Sequence, residues 1–179
     1  MKNIFPVQTD RLTIRQFRPG DAPAFHDWRN DPDVARYTLW PYPYSLAQAE
    51  AFCVKQAALM KLPVGDWVQL FIEERTSGTP VGDIGLGLCP EGDKALHVGY
   101  SIHRDQWGKG FATEAVGAVV PLVARTIGVK TAKAEIDVRN PASGKVLSKM
   151  GFRAGPVHPR RTFVKGEWCD EVDYVLELG

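Results

Sequence analysis

Leu96-His97-Val-Gly-Tyr100-Ser-Ile-His-Arg-Asp-Gln106-Trp-Gly-Lys-Gly110-Phe-Ala-Thr-Glu-Ala115 is the stretch that decides the fold. Leu96, Val98, Tyr100 and Ile102 alternate along it, which predicts a strand with one face in the core. Phe111, Ala115, Val116 and Val119 then recur at helical spacing, so a helix starts within a few residues of the strand's end. Gly108 and Gly110 flank Lys109 at that corner, where missing Cβ atoms allow unusual backbone dihedrals and a close approach to the N–H groups. The first amides of a helix have no partner within it. Together with the positive end of the helix dipole they suit a phosphate or pyrophosphate.

Two phosphate-binding families are excluded by spacing. A P-loop requires a hydroxyl residue after its lysine, and Gly110 follows Lys109. A dinucleotide fingerprint requires a third glycine, and that position holds Thr113. What remains resembles motif A of the GNAT superfamily, the GCN5-related N-acyltransferases, whose Gln/Arg-x-x-Gly-x-Gly/Ala loop binds the pyrophosphate of acetyl-coenzyme A. Set on Gly110 and Ala112, the pattern has Trp107 where Gln or Arg is usual, with Gln106 one residue early. The form Trp-Gly-Lys-Gly-Phe-Ala-Thr-Glu-Ala is similar to the branch that acetylates ribosomal-protein N-termini. A second block, Asn140-Pro-Ala-Ser143-Gly-Lys-Val-Leu147-Ser-Lys149-Met-Gly151-Phe152, resembles that branch too. Weaker matches are Thr9 to Arg15 with Asp21, Val81 to Leu86, and Lys165 to Asp170.

The chain has 179 residues, 44% of them hydrophobic, and reads as one domain over 1–179 with a core of ordinary size. Its net charge of +1 gives no basic field for nucleic acid, and no apolar run reaches membrane-spanning length. Met1-Lys-Asn-Ile-Phe-Pro is not a secretory signal, so a cytoplasmic protein is expected. Cys53, Cys89 and Cys169 form no metal-binding or disulfide pattern and read as free thiols, with no metal expected.

Strands are predicted at Arg11 to Phe17, Trp67 to Glu74, Val81 to Leu88, Leu96 to Ile102 and Ala132 to Val138, then a final hairpin, Gly151 to Val164 and Glu167 to Leu178, around Lys165-Gly166. Helices are expected after Asp21 as a cap, from Leu46 to Lys61 after Ser45, from Lys109 to Ile127, and from Pro141 to Lys149. Met60 shares the apolar face of the second helix, and Pro90 to Asp93 reads as a turn. Tyr37 to Tyr44, rich in proline and aromatics, is either a cover for the core edge or a wall of the acceptor pocket. Glu73 and Glu74 are adjacent on a strand, so at least one faces solvent. The class is mixed α/β. The resemblance adds the acyl-CoA N-acyltransferase arrangement: a mostly antiparallel twisted sheet, flanked by helices and splayed between the fourth and fifth of these strands.

The same resemblance implies an N-acetyltransferase that moves acetyl from acetyl-CoA, its co-substrate, directly to a primary amine, foremost a protein N-terminal α-amine. Alternatives are a small-molecule amine acceptor or a non-catalytic coenzyme A module. No acidic cluster, which a polyamine would favour, is visible in the sequence. Coenzyme contacts are implied at Tyr100, Ile102, Gln106, Trp107, Gly108, Lys109, Gly110, Phe111, Ala112, Thr113, Asn140 and Ser143. Many members use a tyrosine as acid where this chain has Leu147. Ser143 is the substitute donor to the departing sulfur, or else a small residue fitting beside the coenzyme. Asn140 serves the coenzyme region or caps the helix begun at Pro141. His97 stands where the related branch carries glutamate, and imidazole is suited to take a proton near neutrality. Otherwise it is a strand residue.

Overall fold

Leu12 and Ile14, alternate residues of the first long strand, have no exposed surface, and the sheet is built outward from them. The computed structural model describes residues 4–59, 61–89 and 94–179. Met60, the expected turn at 90–93 and the first three residues lie outside these. The strands are β1 Val7–Gln8, β2 Leu12–Gln16, β3 Val68–Glu74, β4 Pro80–Leu88, β5 Ala95–Ile102, β6 Thr131–Asp137, β7 Arg153–Val164 and β8 Glu167–Glu177. The helices are α1 Ala22–Arg29, α2 Pro32–Ala35, α3 Leu46–Ala58, α4 Phe111–Ile127 and α5 Pro141–Lys149.

The eight strands form one sheet in the order β1-β2-β3-β4-β5-β6-β8-β7. Every neighbouring pair is antiparallel except β5 and β6. That parallel ladder covers only Ala95–Thr131, Leu96–Ala132 and His97–Lys133, whereas β5 stays paired with β4 as far as Ile102. Beyond His97 the two strands separate. The expected splay is therefore present, one number later in each strand's label because the two-residue β1 precedes them. Two residues carry no readable period, which is why β1 escapes sequence analysis.

The strand faces sort into two cores. Leu70, Ile84, Leu86, Leu96 and Val98 pack against α4, while Phe71 and Phe17 meet α1 and α3 on the other face. Helix α4 contains Pro121, which costs about 3 kcal/mol inside a helix. Val116, Val119, Val120 and Val123 are almost wholly buried on the same helix, and each contributes about 1.5–3 kcal/mol, so burial wins. Gly128 ends α4 in the left-handed conformation at φ 73°.

Two local expectations are corrected. Asp21 does not cap α1. Its carboxylate instead accepts two hydrogen bonds from the Arg15 guanidinium, at 2.8 and 2.9 Å, and one from the Arg18 amide at 2.7 Å. Arg15 also donates to Glu73 at 2.7 Å and lies over the Phe71 ring, which makes Glu73 a partner in a buried ion network. A bidentate guanidinium pair outcompetes a single cap bond. The second correction is α3, which ends at Ala58 rather than Lys61, although Ser45 and Gln48 form the capping box at its start. Asp31 caps the short α2 through the amides of Asp33 and Val34.

Candidate active site

At the glycine corner a 3-10 turn, Arg104–Gln106, leads from β5 into the loop. Gly108 and Gly110 have φ of 77° and 82°, a region that costs an L-residue about 1–2 kcal/mol. Gly110 stands at the cap position of α4 with no side-chain cap, so the amides of Phe111, Ala112 and Thr113 have no acceptor within the helix. The Phe111 side chain is buried in the core, which leaves only its backbone for a ligand. Trp107 is half exposed, and its indole N–H donates to the Ile102 carbonyl at 2.7 Å. Lys109 donates to the buried Gln106 side chain at 2.8 Å.

A clamp from the start of the chain holds this corner. Arg11 donates to the Lys109 carbonyl at 2.9 Å and to Glu114 in the first turn of α4 at 2.7 Å. Thr9 donates to the other Glu114 oxygen at 2.6 Å. Burial opposes the Glu114 charge, but the hydrogen bonds from Thr9 and Arg11 outweigh it and hold the carboxyl below its usual range. An anionic residue in that turn also suits the helix dipole. Thr9 and Arg11 thus act as a brace for the loop, which their weak pattern match alone does not reveal.

Where β5 and β6 part, a cleft of about 500 Å³ opens. His97 to Tyr100 line one wall, Ala134 to Asp137 the other, and Asn140, Ser143 and Leu147 of α5 close one end. Tyr37, Thr38 and Leu39 from the proline-rich connection, with residues of β7 and β8, complete it. The backbone of Val98 to Ile102 is paired with β4 on one side only, so its other edge faces this opening. Tyr100 and Ile102 themselves pack against the main core. Asn140 caps α5 by accepting from the Ser143 amide at 3.2 Å, and it lines the cleft as well.

His97 is not solitary. Its Nε2 is hydrogen-bonded to Glu135 on β6, and its ring lies 4.6 Å from that of Trp67. Burial works against the Glu135 charge, but the hydrogen bond with His97 and the nearby Arg161 guanidinium hold the carboxyl below its usual range. Arg161 is surrounded by carboxylates: it pairs with Asp173, with Glu171 at 3.6 Å and with Glu135 at 3.9 Å. An acidic cluster is therefore present, contrary to the reading of the sequence, because β6, β7 and β8 bring together acids far apart along the chain. Glu135, Glu171 and Arg161 are cleft residues that sequence reasoning missed. The available signal was the polar face of β6, where Lys133, Glu135 and Asp137 alternate with Ala132, Ala134 and Ile136.

The cleft's upper wall is tied down by Lys165 in the β7–β8 turn. Its ammonium donates to the Ala35 carbonyl at 2.5 Å, the Thr38 carbonyl at 2.7 Å and the Thr38 hydroxyl at 3.3 Å. Burial pulls the Lys165 pKa below the usual lysine value. In the Tyr37–Tyr44 segment, Tyr44 is buried in the second core, as a cover for the core edge requires, while Tyr37 to Leu39 line the cleft.

Comparison with known proteins agrees with this geometry. The acetyltransferase (GNAT) domain family matches residues 11–153. The chain is 31% identical over 151 residues to the N-acetyltransferase YoaA of Bacillus subtilis (strain 168), covering 84% of each. It is also 31% identical over 174 residues to the [ribosomal protein uS5]-alanine N-acetyltransferase of Escherichia coli (strain K12), covering 93% of this chain and 87% of that one. Among solved structures, the ribosomal L7/L12 α-N-protein acetyltransferase RimL in complex with coenzyme A has the same fold, with a TM-score of 0.83 at 18% identity and 97% of each chain covered. With the family matching over most of its length and the splayed sheet in place, the chain belongs to the GNAT family and is an acetyl-CoA-dependent acyltransferase.

Proposed function

We propose that the protein acetylates a protein N-terminal α-amine, with acetyl-CoA bound across the glycine corner and the splayed strands. The single observation that carries this reading is the His97–Glu135 pair in the cleft wall. An arriving ammonium must lose a proton before its nitrogen can attack a thioester. Glu135 is held ionised, so the hydrogen in its bond to Nε2 belongs to His97, and Nδ1 is the nitrogen left to receive the amine proton. Glu135 then fixes the tautomer and stabilises the imidazolium formed when His97 takes the amine proton, directly or through one water. An α-amine has a reference pKa of about 7.7–8.0 against about 10.4 for lysine, so this pair is adequate for a terminus and weak for a side chain.

The geometry supports the remaining roles of this reading. The amides of Gly108 to Thr113 receive the pyrophosphate, with Gln106 and Trp107 shaping the loop behind them. The free edge of β5 from Val98 to Ile102 offers backbone N–H groups to the pantetheine arm and the thioester carbonyl. Asn140 and Ser143 close the end where the sulfur departs. The E. coli relative's ribosomal acceptor supports a protein terminus, and a cytoplasmic reaction is in keeping with that reading.

A second reading, acetylation of a small polyamine, is favoured by the excess of carboxylates around Arg161. Coenzyme A release, measured with peptides bearing a free α-amine, the same peptides N-blocked with a lysine retained, and polyamines, separates them. Turnover confined to free-terminus peptides is the expected result. Turnover only with polyamines overturns the first reading, and tight acetyl-CoA binding with no turnover of any amine overturns both.

A further inference from the structure

The buried hydroxyl of Tyr100 meets Ser143 twice, at 2.9 Å to its carbonyl oxygen and 2.8 Å to its Oγ. A phenol has one proton, and a carbonyl oxygen can only accept. When the Tyr100 proton lies on the carbonyl, the Ser143 hydroxyl can donate to the phenol oxygen. When the Ser143 proton turns to another acceptor, the Tyr100 proton can turn to Ser143 Oγ instead. The pair has two proton arrangements, and both keep the two residues bonded to each other. Leu147, one turn further along α5, is fully buried and has no proton to offer.

We propose that Tyr100 is a positioning residue for acetyl transfer, its hydroxyl aiming the Ser143 Oγ–H at the departing sulfur of coenzyme A. The proposal rests on the cleft being the acetyl-transfer site. As the tetrahedral intermediate collapses, the C–S bond breaks and its electron pair goes to sulfur. Ser143 Oγ–H then donates a hydrogen bond to the thiolate, and Tyr100 O–H donates to Ser143 Oγ. Neither residue loses its proton, and the coenzyme takes one from solvent after release. Burial pushes the Tyr100 pKa up to about 12, which keeps the phenol a donor at neutral pH.

The test is the ionisation of the coenzyme A thiol bound to the whole protein, followed by thiolate ultraviolet absorbance against pH, beside kcat for coenzyme release. In the wild type the bound thiol should ionise below the reference value of about 8.5. Tyr100→Phe should raise that pKa by about one, a tenfold loss of thiolate at fixed pH, and lower kcat about tenfold. Ser143→Ala should do the same, and the double variant no more than either alone. Tyr174→Phe, which removes another hydroxyl beside α5, should change neither quantity. Effects of Tyr100→Phe and Ser143→Ala that multiply overturn the proposal, as does a bound thiol whose ionisation either variant leaves unchanged. If Tyr100→Phe does not fold, the Ser143→Ala result alone decides. A wild type that lowers the thiol pKa but acetylates no amine sinks the transferase reading and leaves the hydroxyl pair standing, so the two failures are distinguishable.

Discussion

At the glycine corner the groups offered to a ligand are backbone amides of consecutive residues, while at the His97–Glu135 end of the cleft, proposed above to take the acceptor, they are side chains carried mainly by β5, β6, β7 and β8. The first end is rigid for local reasons. Two glycines hold φ near 80°, and Arg11 with Glu114 pins the loop to its helix. The second end depends on register: His97 meets Glu135 because a three-residue parallel ladder sets β5 against β6. On the proposed function, coenzyme recognition by backbone therefore tolerates changes of side chain around it, whereas acceptor recognition rests on particular side chains.

The largest expected effect breaks the acceptor end. Glu135→Gln keeps the volume but leaves the His97 tautomer unfixed and its imidazolium uncompensated, so kcat should fall about 10²–10⁴-fold with acetyl-CoA affinity unchanged by calorimetry. A variant with wild-type kcat would mean that water alone removes the amine proton. At the other end, Gly110→Val should weaken acetyl-CoA binding about 10–100-fold. The left-handed backbone and the ligand both resist a Cβ, although within the protein that Cβ would meet only Arg11 at 3.6 Å. Unchanged affinity in the folded variant would remove the backbone cradle from the coenzyme site.

A smaller effect is expected where Lys165 ties the 35–38 segment to the cleft. Lys165→Met deletes the three bonds that tie Ala35 and Thr38 to the β7–β8 turn, and the acceptor KM should rise about fivefold, with acetyl-CoA affinity unaffected. Equal loss at both substrates would show that the tie supports the whole cleft rather than its acceptor side. A different kind of effect, on stability rather than on either substrate, is expected beneath α1, where Asp83 faces Arg29 at 3.6 Å. Burial raises the Asp83 pKa to about 6, only partly opposed by Arg29. A raised carboxyl pKa means that the folded state binds the proton more tightly than the unfolded state. That contribution is complete below the unfolded value of about 3.9 and is lost as pH rises through about 6. Relative to Asp83→Asn, the wild type should therefore lose on the order of 1–3 kcal/mol of unfolding free energy between about pH 4 and 7. A difference that does not vary with pH would show that Asp83 stays charged when folded.

The comparison also explains how much was legible in the chain. Gly108, Gly110 and the alternation of Leu96 to Ile102 disclose the strand, the corner and the helix, because each is a property of neighbouring residues. The α5 boundaries are equally readable, with Asn140 found in the capping role its position allows. Glu135, Arg161 and Glu171 were not, since their meeting depends on β8 lying beside β6 with β7 outside it, an order that periodicity does not encode. Asp21 was misread for a more local reason: as a helix cap it has a motif, but Arg15, six residues earlier on β2, engages its carboxylate instead.

The sheet's two borders carry a consequence for how the molecule behaves among other chains. One border is β1, two residues long. The other is β7, whose Pro156 and Pro159 lack an N–H and whose pairing with β8 is interrupted twice, with Arg160 at φ 51° in the second break. A short strand at one margin and a bulged, proline-bearing, arginine-rich strand at the other are poor templates for a further strand. The sheet is thereby guarded against edge-to-edge pairing at both borders, and the unpaired strand edge it does present, Val98 to Ile102 of β5, is turned into the cleft.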